Sequence, residues 1–370
     1  MNSPAQDEAD FYIGLMSGTS LDGVDTIVAR FSGTTPPELL ATHYLPYTAS
    51  LRTRLLELHT PQENELHLAN CIALELADLY AESVAVVLEK AHLEAEQIKA
   101  MGCHGQTVRH RPEAGYTVQL VNGARLAEKS GIASIVDFRS RDIAAGGQGA
   151  PLVPAFHAAM LSSPTEHRAI VNIGGISNLT NLPTDGIISG FDCGPGNLLL
   201  DAWAARHLGK PVDESGAWAT SGKVLPNLLQ RLLNHPFFSL VPPKSAGREQ
   251  FNLDWLSDAL TGHETPEDIQ ATLLELTAKG IVDAANKDCA GYEALYVCGG
   301  GVHNTALMQR LTKLAGKSVY SSAVLGMDPD WLEAIAFAWL ARQCLKGQPG
   351  NLPAVTGAAG SRILGAIYPA

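Results

Sequence analysis

The chain lacks paired cysteines, an excess of basic charge and long apolar runs. Its six cysteines are scattered without a C-x-x-C pair, so the sequence predicts neither a zinc site nor a disulfide framework and fits a reducing cytoplasm. Lysine and arginine total 26 against 38 acidic residues, and the net charge of −12 argues against nucleic acid or an anionic membrane as a partner. No apolar run reaches transmembrane length, and the polar, acidic start is unlike a signal peptide.

The composition otherwise describes a packed protein. Of the 370 residues, 46% are hydrophobic and 17% are charged, which argues against disorder. A chain of this length exceeds one ordinary hydrophobic core, so we expect two domains.

The stretch from residue 11 to residue 31 predicts a hairpin with an unusual turn. Residues 12–16 and 25–31 have the pattern of strands, and Ser17-Gly18-Thr19-Ser20-Leu21-Asp22-Gly23 joins them. A turn of glycine and small hydroxyl residues can wrap an anion with its main-chain N–H groups. The same composition also suits an ordinary hairpin, so both interpretations stay open at this point.

A second strand–glycine turn–strand unit opens the other half of the chain. Residues 168–173 and 178–182 are the predicted strands, and residues 174–177 form the turn between them. Residues 139–154 are rich in glycine, alanine and proline, and we place the crossing between domains near them. A repeat of this kind indicates a duplicated domain with a ligand between the copies.

Apolar periodicity and turn signals predict the other elements. Asp328-Pro329 predicts the start of a helix. Residues 105–107 continue the polar end of a strand, 193–197 form a glycine-rich turn and 241–249 a loop. The remaining predicted strands are 38–47, 98–104, 116–120, 133–137, 187–192 and 294–298, and the remaining helices are 51–58, 65–93, 122–131, 268–285, 304–315 and one that begins near 198.

Asp192 is the first candidate for catalysis. It ends a predicted strand beside a glycine-rich turn and a helix start, which is where open α/β sheets carry catalytic groups. A turn or cap aspartate would look the same. Gly299-Gly300-Gly301 also separates a strand from a helix, and the missing Cβ atoms would let a flat base or a phosphate lie against the main chain.

Other polar residues have a structural and a functional interpretation. His104 opens the group His104-Gly105-Gln106-Thr107 at a strand end, and a lone histidine is often structural. Glu333 lies on an apolar helix face, where a carboxylate is costly unless it is paired or binds a ligand, although a helix N-terminus also favours it. Arg139 and Arg141 suit a substrate carboxylate, or else an internal salt-bridge network.

Seven motifs together resemble the signature of the anhydro-N-acetylmuramic acid kinases. They occur in the family's order and span nearly the whole chain, so their combination is specific although each motif alone is weak. The motifs are residues 16–25, 102–107, 137–139, 145–154, 172–175, 190–197 and 298–301.

The resemblance implies an α/β fold of two duplicated actin-like ATPase (ribonuclease H-like) domains with a nucleotide cleft between them. The N-terminal domain would comprise residues 1–138 and 352–370, and the C-terminal domain residues 139–351. ATP and Mg²⁺ are the implied cofactors, and a cytoplasmic homodimer is the implied assembly. The implied nucleotide-binding residues are Gly18, Thr19, Ser20, Leu21, Asp22, Gly23, Val24, Asp25, Asn172, Gly174, Gly175, Gly299, Gly300 and Gly301.

One departure concerns the metal. The second strand–glycine turn–strand unit has Asn172 just before its turn, where many members of the wider superfamily have aspartate. Asp22 and Asp192 are therefore the expected metal contacts, directly or through water.

The implied substrate is 1,6-anhydro-N-acetylmuramic acid, a cell-wall recycling product whose O6 is bonded to its own anomeric carbon. Asp192 would activate a water that attacks this carbon, and the departing O6 would attack the γ-phosphate of ATP, giving N-acetylmuramic acid 6-phosphate. The alternatives are a kinase of a free sugar hydroxyl and a non-catalytic ATP-driven switch. The residues implied around the sugar are His104, Gln106, Thr107, Arg139, Arg141, Gly194, Gly196, Asn197 and Glu333, with Arg139 or Arg141 meeting the lactyl carboxylate.

Overall fold

The structure, a computed structural model, describes residues 10–18, 20–33, 36–248 and 250–370. Its strands are β1 (Asp10–Met16), β2 (Gly23–Phe31), β3 (Glu38–Pro46), β4 (Ile98–Cys103), β5 (Gln106–Arg111), β6 (Tyr116–Leu120), β7 (Ser134–Val136), β8 (Arg168–Ile173), β9 (Ile176–Leu182), β10 (Ser189–Pro195), β11 (Ala294–Cys298), β12 (Ser318–Ser321) and β13 (Ala366–Tyr368). Its α-helices are α1 (Ala49–Glu57), α2 (Glu65–Ala91), α3 (Gly123–Ser130), α4 (Ser140–Ala144), α5 (Val153–Leu161), α6 (Leu198–Leu208), α7 (Ala217–Ser221), α8 (Pro226–Leu233), α9 (Leu253–Ala259), α10 (Pro266–Asp288), α11 (Thr305–Ala315), α12 (Leu332–Leu345) and α13 (Pro353–Thr356). Short 3-10 turns include Pro236–Ser239 and Gly300–His303.

The chain divides into two compact units. Unit 1 comprises Met1–Met160 and Trp331–Ala370, and unit 2 comprises Leu161–Asp330. The expected boundaries at 138/139 and 351/352 therefore need correction. Residues 139–160 stay with unit 1 because Asp142 binds Gly149, Asn351 and Thr356 by hydrogen bonds.

Unit 1 is built on a six-stranded sheet in the order β13-β7-β4-β1-β2-β3. Strand β1 runs antiparallel to β2 and parallel to β4, and β2 runs antiparallel to β3. Helix α12 lies flush against β1 and β4, since a Cβ on Gly14 or Gly102 would collide with the backbone of Ala334 or Phe337. This close approach explains why α12 groups with unit 1, far along the chain from its strands.

Unit 2 repeats the core of that topology. Its sheet has the order β10-β9-β8-β11-β12, with β8 antiparallel to β9, β9 antiparallel to β10, and β11 parallel to both β8 and β12. The same sequence of directions relates β3, β2, β1, β4 and β7. The predicted α/β class and the predicted duplication are therefore confirmed.

Each unit has its own apolar core. In unit 2, helix α10 is central, because apolar side chains such as Leu273, Leu276 and Ile281 are buried against the sheet and the neighbouring helices. In unit 1, helix α2 buries Ile72, Leu76 and Val84 in the same way. Within the described ranges, no helix combines the length and apolarity that a membrane crossing requires.

Three local predictions were wrong. Residues 106–111 form strand β5, which pairs with β6 as a separate hairpin, so the polar group after β4 is a strand rather than a loose end. The helix predicted at Asp328 begins at Leu332, because the Asp328 carboxylate instead accepts the N–H of Asp330 in a local turn. Strand β10 continues to Pro195 through a bulge after Asp192.

Candidate active site

The first glycine-rich turn of unit 1 links β1 to β2. Leu21 adopts a left-handed backbone conformation (φ 58°) and is buried, which folds the turn tightly. The Ser20 hydroxyl donates to Asp22 Oδ1 at 2.5 Å, while the Asp22 carbonyl accepts the N–H of Tyr47 at 2.8 Å. The exposed Asp22 carboxylate thus stands at the rim of the turn.

The other residues expected to bind nucleotide here do not all lie in the turn. Gly23, Val24 and Asp25 are the first residues of β2 rather than part of the turn, and Val24 is fully buried. Thr19 lies outside the described residues.

His104 and Arg139 meet beneath this turn. His104 Nδ1 lies 3.1 Å from the carbonyl oxygen of Ser17, and Nε2 accepts from Arg139 at 2.9 and 3.2 Å. Arg139 also donates to the Gly149 carbonyl at 2.7 Å. Burial lowers the pKa of His104 to about 3 and that of Arg139 to about 10, so the imidazole is neutral and the guanidinium charged at neutral pH.

Gln106 also faces the first turn. Its Nε2 donates to the Gly18 carbonyl at 3.0 Å, and its Oε1 is buried without a partner among the described residues. Thr107 accepts from Gln119 across the β5–β6 hairpin at 3.1 Å.

The charged residues expected at the sugar have different surroundings. Arg141 is exposed on α4, whereas Arg139 is committed to His104 and Gly149. Glu333, in the first turn of α12, favours the charged form of Arg139. Unit 1 therefore brings His104 and Glu333 to Arg139, with Gln106 at the same turn as His104, whereas Arg141 is exposed on α4.

In unit 2 the second glycine turn joins β8 to β9. The Gly174 carbonyl accepts the N–H of Asn197 at 2.8 Å, and the Gly175 carbonyl accepts the N–H groups of Gly196 and Leu198 at 2.9 and 3.1 Å. A Cβ on Gly174 or Gly175 would meet no atom nearer than 3.7 Å. Glycine is thus not required there by packing, and the turn is open on one side.

One row of the sheet brings three motifs together. Asn178 of β9 pairs with Asn172 on one side and with Asp192 on the other, and Asn172 pairs with Cys298. Paired residues project to the same face of a sheet, so Asn172 and Asp192 lie on one face, with Asn178 between them.

The turn after β11 contains glycines of two kinds. A Cβ on Gly299 would collide with Asn172, and one on Gly301 would collide with Ile173, so both are required by packing. A Cβ on Gly300 would meet only the Asn197 side chain, at 3.7 Å. Gly300 therefore leaves open space above the main chain.

Asp192 has the environment of a base. Its Oδ2 accepts the N–H of Ala246 at 2.8 Å, and its own N–H donates to the Lys244 carbonyl at 3.1 Å. Burial raises the pKa of Asp192 to about 7, a rise that the Ala246 hydrogen bond and the Lys244 charge oppose. A carboxylate with this pKa exchanges a proton near neutral pH.

The residues that hold Asp192 are not among those predicted from the sequence. Lys244 and Ala246 lie in the stretch that was predicted only as a loop, and the Lys244 ammonium lies 4.6 Å from the centre of the Phe237 ring. Their only advance signal is a polar, glycine-containing run after two prolines. Asp201, in the first turn of α6, is a second partly buried carboxylate, and burial raises its pKa to about 7.

A cavity of about 490 Å³ lies between α7, α10 and α11. Its wall includes Ala306, in the first turn of α11 after the glycine turn, and the Arg310–Glu275 ion pair. The volume is in the range of small-molecule sites.

The profile of the anhydro-N-acetylmuramic acid kinase family matches residues 10–370 of this chain. The chain belongs to this family. It is therefore a kinase, and the kinase reaction implies the use of ATP.

Curated relatives agree with this assignment. Anhydro-N-acetylmuramic acid kinase from Thiobacillus denitrificans is 56% identical over 374 aligned positions and covers 100% of both chains. The enzyme of the same name from Nitrosomonas europaea is 55% identical and covers 97% of this chain and 100% of its own. Among solved structures, component A of (R)-2-hydroxyglutaryl-CoA dehydratase from Acidaminococcus fermentans has a TM-score of 0.48 and 14% identity, covering 89% of this chain and 96% of its own. A likeness at that level carries no conclusion about function.

The glycine turns of the kinase suit ATP, and one carboxylate suits Mg²⁺. The open turn at Gly174-Gly175 and the free space at Gly300 suit phosphate and a flat ring. Within the described ranges no group of three or more histidine, cysteine or acidic residues could hold a metal ion. The exposed Asp22 oxygen still suits Mg²⁺, which commonly takes one or two carboxylates together with phosphates and waters.

Proposed function

We propose that this kinase opens the 1,6-anhydro ring of 1,6-anhydro-N-acetylmuramic acid by hydrolysis while it transfers the γ-phosphoryl group of ATP to O6. The product is N-acetylmuramic acid 6-phosphate, and the role is the recycling of peptidoglycan. The observation that carries the proposal is Asp192, whose pKa of about 7 and fixed position suit a general base.

Asp192 acts on water. Its carboxylate takes a proton as the water oxygen bonds to the anomeric carbon, and the bond from that carbon to O6 breaks with its electron pair going to O6. The O6 then bonds to the γ-phosphorus, and the bond from that phosphorus to the bridging oxygen breaks, leaving ADP. The Ala246 N–H holds the carboxylate in place, since it donates to Oδ2 at 2.8 Å.

The glycine turns and Asp22 act on the phosphates. The main-chain N–H groups of the turns at Gly18 and Gly174-Gly175 receive the phosphate oxygens, and Gly300 lies against the adenosine. Asp22 would hold Mg²⁺, directly or through water, and a bound Mg²⁺ would neutralise charge on the phosphates. Asp192 is kept for the base, because a pKa near 7 is of more use to proton transfer than to metal binding.

The sugar-binding residues are assigned from exposure and hydrogen bonding. Arg141 is exposed, so it is assigned to the lactyl carboxylate in preference to Arg139. The Oε1 of Gln106, which has no partner among the described residues, suits a sugar hydroxyl, and Glu333 and Thr107 complete this set.

The test is the reaction in ¹⁸O-labelled water with ATP and the anhydro-sugar. We expect one ¹⁸O at the anomeric carbon of the phosphorylated product, because the attacking water supplies that oxygen. A conventional kinase of a free hydroxyl leaves this carbon unlabelled.

Asp192→Asn should still bind ATP and lose turnover by roughly 10²–10⁴-fold, as expected for loss of a general base. Near-normal turnover of that variant would exclude Asp192 as the base.

A further inference from the structure

His104 and Gln106 both contact the glycine-rich turn of residues 17–23, which the proposed function makes the first phosphate loop. His104 lies 3.1 Å from the Ser17 carbonyl oxygen through Nδ1, and Gln106 donates to the Gly18 carbonyl at 3.0 Å. Two side chains of one motif thus engage two consecutive carbonyls of another. Because Arg139 contacts the Nε2 atom of His104, both ring nitrogens of His104 are occupied and neither is free for a sugar.

The tautomer of His104 follows from Arg139. A guanidinium has only donors, so the Nε2 atom that it contacts at 2.9 Å must carry the lone pair. The proton of the neutral ring is then on Nδ1, which donates it to Ser17. The ring is buried and packs 4.9 Å from the Phe337 ring, which holds this orientation.

Unit 2 meets the same need with its main chain. The carbonyls of Gly174 and Gly175 are held by N–H groups at the start of α6. In unit 1 the equivalent junction, between β3 and α1, gives the first loop one backbone donor, because the N–H of Tyr47 donates to the Asp22 carbonyl at 2.8 Å. His104 and Gln106 add side-chain donors at the Ser17 and Gly18 carbonyls of the same loop.

A held carbonyl also orients the N–H of the same peptide. In a trans peptide the C=O and N–H point in opposite directions. Holding the Ser17 carbonyl toward His104 therefore turns the N–H of Gly18 to the other face of the loop. That face is the one on which an anion can be bound by main-chain donors.

We propose that His104, supported from behind by Arg139, is a positioning residue that orients the first phosphate loop toward ATP and does not contact the sugar. The proposal rests on the proposed function only in taking this loop as the ATP loop. On this proposal His104 contributes to the affinity for ATP. His104 and Arg139 were both expected around the sugar, and neither contacts it.

Two substitutions of His104 test its two ring nitrogens one at a time. The amide nitrogen of asparagine lies the same number of bonds from Cα as Nδ1, and the end of glutamine matches Nε2. His104→Asn therefore keeps the donor to Ser17, whereas His104→Gln keeps the partner of Arg139 and loses that donor. His110→Gln is the matched control, since His110 lies on the neighbouring β5–β6 hairpin and bonds to Thr117 at 3.0 Å.

The readouts are calorimetric binding of Mg·ADP, the KM for ATP and the KM for the anhydro-sugar. We expect His104→Gln to weaken ADP binding and raise the KM for ATP by about five- to tenfold, the effect of one lost hydrogen bond of about 1 kcal/mol. His104→Asn should stay within about twofold of the wild type, and the KM for the sugar should be unchanged in both. A raised sugar KM with unchanged ADP affinity, or equal loss in both variants, would overturn the proposal. Failure of the wild-type enzyme to bind Mg·ADP would instead overturn the proposed function.

Discussion

At the scale of single residues, the chemistry depends on how burial changes two carboxylates. Asp192 and Asp201 both have a pKa raised to about 7, in each case chiefly because burial disfavours the charged form. Among the described residues, a main-chain donor holds only the first of these two carboxylates, through the Ala246 N–H to Asp192. The sequence pattern identified Asp192 by its place at the end of a predicted strand, but the same pattern contains nothing about its pKa, since that depends on which distant residues surround it.

The pH dependence of turnover should report Asp192. A base must be ionised, and a pKa of about 7 means that Asp192 is mostly protonated below pH 7, so kcat/KM for the sugar should fall as the pH drops through 7. The measurement is a pH profile of kcat/KM. Asp201→Asn is the control and should leave the acid limb in place, and a limb that moves in this variant would assign the titration to Asp201.

At the scale of elements, the turns combine required and free glycines. Gly299 and Gly301 are fixed by contacts with Asn172 and Ile173, whereas Gly300 between them has open space. The three consecutive glycines predicted that something approaches the main chain, but they could not tell which glycine serves packing. That distinction requires the position of β8 beside β11, which only the folded sheet defines.

Alanine substitutions should separate these roles. Gly300→Ala should retain the melting temperature and raise the KM for ATP about tenfold, since the new methyl group occupies ligand space. Gly301→Ala should destabilise the fold by about 1–3 kcal/mol, because its Cβ collides with Ile173. The measurements are thermal unfolding and steady-state kinetics. An unchanged KM for ATP in Gly300→Ala would contradict the adenosine assignment of this turn.

At the scale of the whole molecule, one sheet topology is used twice with different supports. The loop of unit 2 is held by the start of α6, while the loop of unit 1 is held by the Tyr47 N–H just before α1 and also by the side chains of His104 and Gln106. Function also has a cost in stability, since a carboxylate with a raised pKa opposes folding wherever it is ionised.

The pH dependence of stability should show this cost. A carboxyl group with a folded-state pKa of about 7 contributes stability that is complete below its unfolded pKa near 4 and is lost as the pH rises through 7. Asp192→Asn should therefore raise the free energy of unfolding at pH 8 by about 1–4 kcal/mol, and this should be seen as a higher melting temperature. The gain should shrink as the pH falls from 7 toward 4. A variant less stable than the wild type at pH 8 would show that the ionised group stabilises the fold.

The sequence by itself determined the α/β class, the duplication and the family, because strand periodicity, glycine turns and ordered motifs are local properties of the chain. It also placed Asp192 in a strand, although that strand continues past it to Pro195. Only the tertiary structure decided that Asn172 and Asp192 lie in one row of a sheet, that Ala246 holds the carboxylate, and that His104 faces Ser17 rather than remaining free. The physical reason is that hydrogen bonds and burial depend on residues far apart in the chain, and a local pattern contains neither.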